Sequence, residues 1–362
     1  MGVETATQLR RYDAQALHDF VVAVLRKLDV PDEDAKLAAG TLVDADLTGV
    51  DSHGVARFAT HPGYVKGLRE GKVKAHANVR VVAEQAATAL VDGDGGLGVM
   101  VGCRAMDVAI AKARSAGAGV VAVRNSHHYG IAAHYARMAL PHDMIGVSMT
   151  NSLPEVVLPG VAKATVGTNP IAIAAPSGQE HPWILDMATS VGAAGKAEIA
   201  MRQGRELPDG WLVDPDGKPT RDPTMKFSGS ALLPLGSFPE LASHKGYGLA
   251  VAVDVLCGVL SGAGYSAALD PNGWSTGHFF AAIRIDAFVP VTQFKAVMDD
   301  MIRFLRAAPR VPGVDRIYVH GEKEWEAERE RRARGVPLHP AVVQSLRGLE
   351  PDFGIPFPAP VG

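Results

Sequence analysis

The chain is poor in the features that would tie it to an oxidising compartment, a membrane or a nucleic acid. Only two cysteines, Cys103 and Cys257, occur among 362 residues. Each lies in an apolar, helix-like stretch where a free thiol behaves as a small hydrophobe. A disulfide framework is therefore excluded, and a reducing, cytoplasmic setting is expected. An excess of positive charge is missing too: 36 Lys and Arg stand against 39 Asp and Glu, a net charge of -3. Phosphate binding needs a basic face, so nucleic acid is not expected as a partner. An acidic small molecule stays open, because one buried arginine can hold a carboxylate whatever the global balance. Long apolar runs are also lacking; stretches such as 248–259 are too short and interrupted for a membrane span. Residues 1–11 are polar, without the apolar core of a signal peptide. What is present is an ordinary globular composition, 47% hydrophobic and 21% charged. The length suits about two domains.

Periodicity gives the local elements. Asp13 caps a helix whose face carries Ala16, Phe20, Val24 and Leu25. Pro31 and the acids 32–34 start a second, with Leu37, Ala38 and Leu42 inside. A third helical stretch runs through Tyr64 and Leu68 and stops at Gly71. Residues 79–83 and 88–92 read as short strands, 100–116 as a helix, and 119–123, 145–149, 171–175 and 279–285 as strands. Residues 249–260 read as a buried helix. The segment 322–334 is dominated by charge, with Glu328/Arg332 and Glu330/Arg334 spaced to pair along a solvated helix face. The proline-rich stretch 351–362 is expected to be an extended C-terminal tail.

A glycine motif invites a dinucleotide reading. Residues 93–98, Gly-Asp-Gly-Gly-Leu-Gly, match G-x-G-x-x-G between a strand and a helix. The reading is discounted on three grounds. The first strand is short and polar at its end, the second ends at Arg124-Asn125 with no acid for a ribose, and no series of βαβ units follows. A tight turn explains the glycines.

Three polar clusters stand out in apolar, glycine-rich surroundings. The first is residues 51–57, with Asp51 and Ser52 suited to an N-cap and Gly54 permitting close approach. If the chain is helical there, His53 and Arg57 share a face, placing a proton carrier beside a bidentate carboxylate binder. On spacing alone a capped helix with a surface His and Arg is the better fit. The second cluster, residues 124–130, follows a β-branched strand and contains His127 and His128, of which at most one is expected to face a substrate. The third joins residues 150–152, 167–170 and 185–190, loops crowded with hydroxyl and amide donors suited to ribose and phosphate, or to tight turns. In it Asp186 is a candidate to orient a catalytic histidine. His244 and Lys245 open an apolar helix, where Lys245 either meets a cofactor phosphate or is simply solvated.

Taken in order, the blocks at 49–54, 125–130, 166–170, 185–190, 245–249 and 320–322 resemble the malate/L-lactate dehydrogenase family of the second, non-Rossmann type. That family includes ureidoglycolate, sulfolactate and 2,3-diketogulonate oxidoreductases and piperideine-2-carboxylate reductase. The resemblance covers nearly the whole chain, roughly residues 12–340. It implies an α+β fold: a helical domain from both chain ends (1–76 with about 290–350) on a central cofactor-binding domain (77–289) with a mixed, largely antiparallel sheet. It implies a homodimer with the active site near the subunit interface, and a nicotinamide cofactor, NAD or NADP, bound outside any Rossmann crevice. Carried over by residue, His53 and His128 match two histidines proposed as acid/base, and Arg57 the binder of a small carboxylate substrate, with Ser52 and Thr168 beside it. Ser152, the loop Asp186, Met187, Ala188, Thr189 and Ser190, the pair His244 and Lys245, and Gly321 with Glu322 match cofactor contacts. The sequence departs from the family pattern at His320, usually Pro, and carries extra residues at 233–243.

The expected activity is hydride transfer between NAD(P) and a small 2-hydroxy/2-oxo acid, the proton moving through His53 or His128. Reduction of a cyclic imino acid on the same scaffold is an alternative. Two others come from different classes. A metal-dependent hydrolase or lyase using Asp51, His53, His127 and His128 lacks any H-x-x-x-H or Cys/His spacing, and no metal is expected. A catalytically silent binding protein would keep the fold without binding NADH or NADPH.

Overall fold

The computed structural model describes residues 9–161, 163–227, 229–270 and 275–361. After β1 (Arg10–Tyr12), the Asp13 carboxylate accepts the Ala16 N–H at 2.9 Å and starts α1 (Ala14–Lys27). Leu17, Phe20, Val21, Val24 and Leu25 are its buried face. Pro31 precedes α2 (Asp32–Leu47), with Asp32, Glu33 and Asp34 at the positive helix end. The expected third helix is broken into α3 (Val55–Thr60) and α4 (Val65–Arg69). Pro62, which lacks an N–H, and Gly63 fall in the break.

The sheet begins with the hairpin β2 (Arg80–Glu84) and β3 (Thr88–Asp92). Helix α5 (Gly98–Ala116) then crosses to β4 (Ala118–Ser126), which runs parallel to β3. Helix α6 (Ala132–Arg137) leads to β5 (Met144–Thr150), β6 (Ile171–Ala175) and β7 (Trp183–Met187). A long excursion follows: α7 (Ala194–Arg202), the short strands β8 (Leu212–Val213), β9 (Pro219–Thr220) and β10 (Ala231–Leu232), and α8 (Ser243–Val253). Helix α8 widens into a π-helical turn over Asp254–Val259. Strand β11 (Thr276–Arg284) then returns to the middle of the sheet, giving the order β2-β3-β4-β11-β5-β6-β7. Only the β3–β4 pairing is parallel among these, so the sheet is mixed and largely antiparallel. The fold is α+β.

Helix α9 (Val291–Arg306) docks on the β6–β7 turn, where the Asp299 carboxylate accepts backbone N–H groups of Gly178, Gln179 and Glu180 at 2.8–3.1 Å. Helix α10 (Glu322–Arg334) precedes β12 (Val336–Leu338), which pairs antiparallel with β1 and ties the two chain ends together. Two short helices close the chain, α11 (Pro340–Arg347) and α12 (Glu350–Phe353). The expected tail is helical over its first residues and extended beyond them, with Phe357 packed on Tyr12 and Phe20 at 5.2 and 5.1 Å between ring centres. One buried apolar cluster runs from Leu17 and Leu42 through Val121 and Phe280 to Leu346 and Phe357.

Two expectations are corrected here. The charged segment 322–334 is more than a solvated face: Glu328 also binds Arg137 at 2.9 Å, Glu330 binds Arg11 at 2.8 Å instead of Arg334, and Arg331 binds Asp51. The segment 249–260 is buried on one side only; Leu249, Val255, Val259 and Leu260 are exposed. Among the described residues no helix is long and apolar enough to cross a membrane.

Candidate active site

The polar loops leave the sheet at one end. Thr276 at the start of β11 pairs with Ser126 at the end of β4, and His278 with Thr150 at the end of β5. Ile171 at the start of β6 lies opposite both Met149 and Met187. Residues 126–131, 150–152, 168–170 and 187–190 therefore share one rim. The first cluster reaches this rim through α3. Its start is capped from α2, not by Asp51 or Ser52: the buried Asp46 carboxylate accepts the Val55 N–H at 2.8 Å. Gly54 is required for that approach, since a Cβ there would lie 2.0–2.4 Å from the Asp46 carboxylate. Burial pushes the Asp46 carboxyl up to about 8, and Asp51 adds to the shift against the pull of the Val55 N–H.

Four rings meet beside Arg57. His53 and His128 stack at 5.5 Å, His61 lies 4.6 Å from His128, and Tyr64 meets His128 nearly edge-on at 5.9 Å. Because the helix begins at Val55, His53 sits in the preceding turn and does not share a helix face with Arg57. It is held instead by Ser52, whose Oγ is 2.8 Å from His53 Nδ1. Burial, then the Arg57 and Lys196 charges, push His53 down to about 4. Burial and Arg57 push His61 down to about 3. His128 is pushed well below its usual value by burial and by its neighbours His61, His53 and Arg57. All three rings are neutral at pH 7. The Tyr64 hydroxyl and the Gly130 N–H approach His128 Nδ1 at 2.8 and 3.4 Å. A backbone N–H can only donate, so Nδ1 accepts and the ring proton belongs on Nε2.

Arg57 is half-buried. Its Nε donates to the Ser52 carbonyl at 2.7 Å, and its Nη1 lies 3.2 Å from Glu198 on α7. Behind the cluster, His278 is fully buried between Thr150 Oγ1 and Ser126 Oγ, each at 2.8 Å, and stacks on Tyr129 at 4.7 Å. Burial pushes it down to about 3, so it is a neutral strut of the sheet.

The remaining loops are knotted together. Thr168 N–H donates to Ser152 Oγ at 3.1 Å, and Thr189 Oγ1 donates to the Thr168 carbonyl at 3.0 Å. Asn169 accepts from Ser152 N–H at 3.1 Å and donates to the Ala250 carbonyl of α8 at 2.8 Å. Leu235 N–H donates to the Thr189 carbonyl at 3.0 Å, and Gly246 on α8 packs so closely on Leu235 that a Cβ would lie 2.4 Å from its backbone. These bonds bring Ser152, Thr168, Met187, Ala188, Thr189, Ser190 and the exposed His244 and Lys245 into one neighbourhood. Asp186 differs from its expected role. Its carboxylate accepts the Ala133 N–H at the start of α6 at 2.9 Å, and among the described residues it bonds neither His53 nor His128. Glu322 is likewise occupied, by Arg306 at 2.6 Å, His181 at 3.3 Å and the Val319 N–H at 2.9 Å. Gly321, at φ +93°, lets the chain touch Ile184 of β7, and so sets this block against the strand that carries Asp186.

The sequence profile of the malate/L-lactate dehydrogenase family matches residues 12–347. The chain belongs to this family. Malate dehydrogenase of Pyrococcus horikoshii is 44% identical over 95% of this chain and 96% of its own length. L-sulfolactate dehydrogenase of Methanocaldococcus jannaschii is 38% identical over 92% and 95%. The crystal structure of malate dehydrogenase from Entamoeba histolytica superposes with a TM-score of 0.94 at 34% identity, over 97% of this chain and all of that one.

Within this malate/L-lactate dehydrogenase fold the glycine motif has a different task from dinucleotide binding. It does sit on the β3–α5–β4 crossover, but its clearances are taken up by protein. A Cβ on Gly98 would lie 2.0 Å from the His127 carbonyl, and one on Gly93 2.8 Å from that of Asn125. The α5 N-terminus is thus covered by the loop that carries His128. His61, Tyr64 and Glu198 were not singled out from the sequence. Pro62-Gly63 was the available signal for the first two, since the break places both in the cluster. Nothing local marks Glu198, which arrives from 141 residues away. Among the described residues no group of three or more His, Cys, Asp or Glu is placed to hold a metal ion. A larger cavity of about 840 Å³ lies apart from the cluster, between β1, α11 and the tail, and contains none of these histidines.

Proposed function

We propose that this dehydrogenase interconverts a small 2-hydroxy acid and its 2-oxo acid, with a malate- or lactate-like substrate and NAD or NADP as cofactor. The observation that carries this reading is a single guanidinium, Arg57, set among three histidines that stay uncharged. A cation beside neutral rings attracts a carboxylate and leaves a ring free to exchange a proton with the adjacent oxygen. Arg57 binds the substrate carboxylate in bidentate fashion and fixes the reacting carbon, with Ser52 and Thr168 at its sides. His128 carries the proton at Nε2, and Tyr64 holds the ring from Nδ1. His53 flanks it as a second neutral imidazole.

The residues fit a nicotinamide dinucleotide. Ser152, Thr168 and residues 187–190 offer hydroxyl and backbone donors for ribose and phosphate. The exposed His244 and Lys245 lie at the α8 start. Such a cofactor supplies or accepts the hydride. Asp186 holds α6 and the His128 loop in place, and Gly321 and Glu322 brace β7 from behind. We read residues 1–76 with about 290–350 as the helical domain and 77–289 as the cofactor-binding one. The exposed apolar residues Leu249, Val255, Val259 and Leu260 favour a homodimer, and the two buried, free cysteines favour a reducing cytoplasm.

The test is an absorbance screen at the nicotinamide band, offering oxaloacetate, pyruvate and 3-sulfopyruvate with NADH and NADPH. Turnover of at least one 2-oxo acid is expected. No turnover, together with no fluorescence change on adding either reduced cofactor, would overturn the reading.

A further inference from the structure

Arg57 does not present an empty fork. Its Nη1 lies 3.2–3.3 Å from both carboxylate oxygens of Glu198, and the two side chains are only 18% and 21% exposed. Leaving a guanidinium unpaired at that depth is costly, so the pair stabilises the free state. Helix α7, which carries Glu198, is seated directly on the substrate segment. A Cβ on Gly195 would lie 2.8 Å from both Arg57 Nη2 and Ser52 Cβ. The cleft between α7 and Arg57 encloses about 10 Å³, scarcely room for one water.

The other side of α7 belongs elsewhere. Ala197 and Ala200 are buried in a small apolar cluster with Leu207, Leu212 and Leu232 of the excursion between β7 and β11 and with Val156 and Val166 of the β5–β6 connection, separate from the main core. The helix is therefore held by apolar contacts to the excursion and the β5–β6 connection, and by an exchangeable ion pair to Arg57. A substrate carboxylate has the same charge and the same two-oxygen geometry as Glu198, so the two compete for Nη1.

We propose that Glu198 is a built-in competitor for the substrate carboxylate, which binds by displacing it and lifting α7 from the Ser52–Arg57 segment. Glu198 is a positioning residue: it acts through Arg57 and sets how strongly an acid must bind to open the site. The inference rests on Arg57 as the carboxylate clamp. It predicts opposite effects on stability and binding, which a merely structural residue would not produce.

The experiment titrates oxamate, an unreactive isostere of a 2-oxo acid, into the intact protein by calorimetry. Glu198→Gln should tighten oxamate binding about three- to tenfold while lowering the melting temperature. In an Arg57→Lys background the same change should alter binding less than twofold. Unchanged or weaker binding by folded Glu198→Gln overturns the proposal, as does an undiminished gain in the Arg57→Lys background. A wild-type measurement holds even if the variant fails to fold. Oxamate should speed amide exchange in residues 194–202, and unchanged or slower exchange overturns the proposal. Normal oxamate binding without these effects removes the competition alone; no binding by wild type removes the Arg57 clamp as well.

Discussion

Two histidine sites in this molecule start from the same ingredients and end in opposite protonation states. Between α2, α5 and α6, His134 Nδ1 lies 2.9 Å from Asp44 and its Nε2 lies 3.7 Å from Cys103. Burial alone would lower its pKa, but the Asp44 and Cys103 contacts outweigh that and push it up to about 10. At the rim of the sheet, His53, His61 and His128 have Arg57 as their charged neighbour, and among the described residues no carboxylate hydrogen-bonds any of them. Burial and that cation act together, so they stay neutral. The sign of one neighbour decides between a structural ion pair and a proton-exchange site. The Cys-His-Asp order at His134 imitates a thiol nucleophile, yet Cys103 is buried and donates to the Val99 carbonyl at 3.3 Å. Its imidazole is already protonated and cannot serve as the base.

The contrast can be broken most severely at His128. His128→Asn removes the proposed proton carrier and should lower kcat about 10²–10⁴-fold with the fold intact, measured by steady-state kinetics and circular dichroism. Near wild-type kcat would move the proton role to His53. Arg57→Lys keeps the charge that depresses the histidines but loses the planar fork. KM for the acid should rise about 10–100-fold, with a smaller change in kcat. A KM that does not move would remove Arg57 from the substrate. On the other side of the comparison, Asp44→Asn strips His134 and Arg137 of their shared carboxylate. Denaturant titration should show a loss of about 1–3 kcal/mol, with catalysis little changed.

The pH profile of stability sharpens the contrast with the smallest effects. The rim histidines have folded pKa values below the unfolded value. Below pH 6.5 the unfolded chain binds more protons, so their stability is present above 6.5 and falls with pH towards about 4 for His53 and about 3 for His61. His134 behaves in reverse: its contribution is full below 6.5 and is lost as pH rises through about 10. Each fully differential proton is worth at most about 1.4 kcal/mol per pH unit, less where solvent reaches the group. Thermal melts of Asp44→Asn should therefore lose the alkaline fall above about pH 8, where the Asp46 carboxyl has already ionised, and keep the acid fall of the rim histidines. Loss of both limbs together would refute the separation of the two sites.

Much of the fold was legible locally. Asp13, Pro31 with its acids, and the alternating β-branched runs set α1, α2 and the strands because caps and periodicity act over a few residues. The candidate site was legible in pieces, as His53, Arg57, His128 and the segments 150–152 and 185–190, although residues 185–187 of the last are the end of β7 and not loop. Asp46 capping α3 and Glu198 pairing Arg57 were not, since each depends on a contact between separate elements. The α7 contact spans 141 residues and has no periodic trace. Asp186, a candidate in the sequence to orient a histidine, is committed to a helix start, and Glu322, matched to a cofactor contact by the resemblance, to an ion cluster.

The sequence by itself determined the starts of α1 and α2, the strands β2 to β6 and β11, the chemistry of the polar clusters and, through their order, the family resemblance. Tertiary structure decided that His134 is charged, that His53, His61, His128 and His278 are neutral, and which of these face a guanidinium. Protonation follows from burial and from the sign of the nearest partner. Both are fixed only when distant segments pack, as Arg57 does beside His128 and Asp44 beside His134.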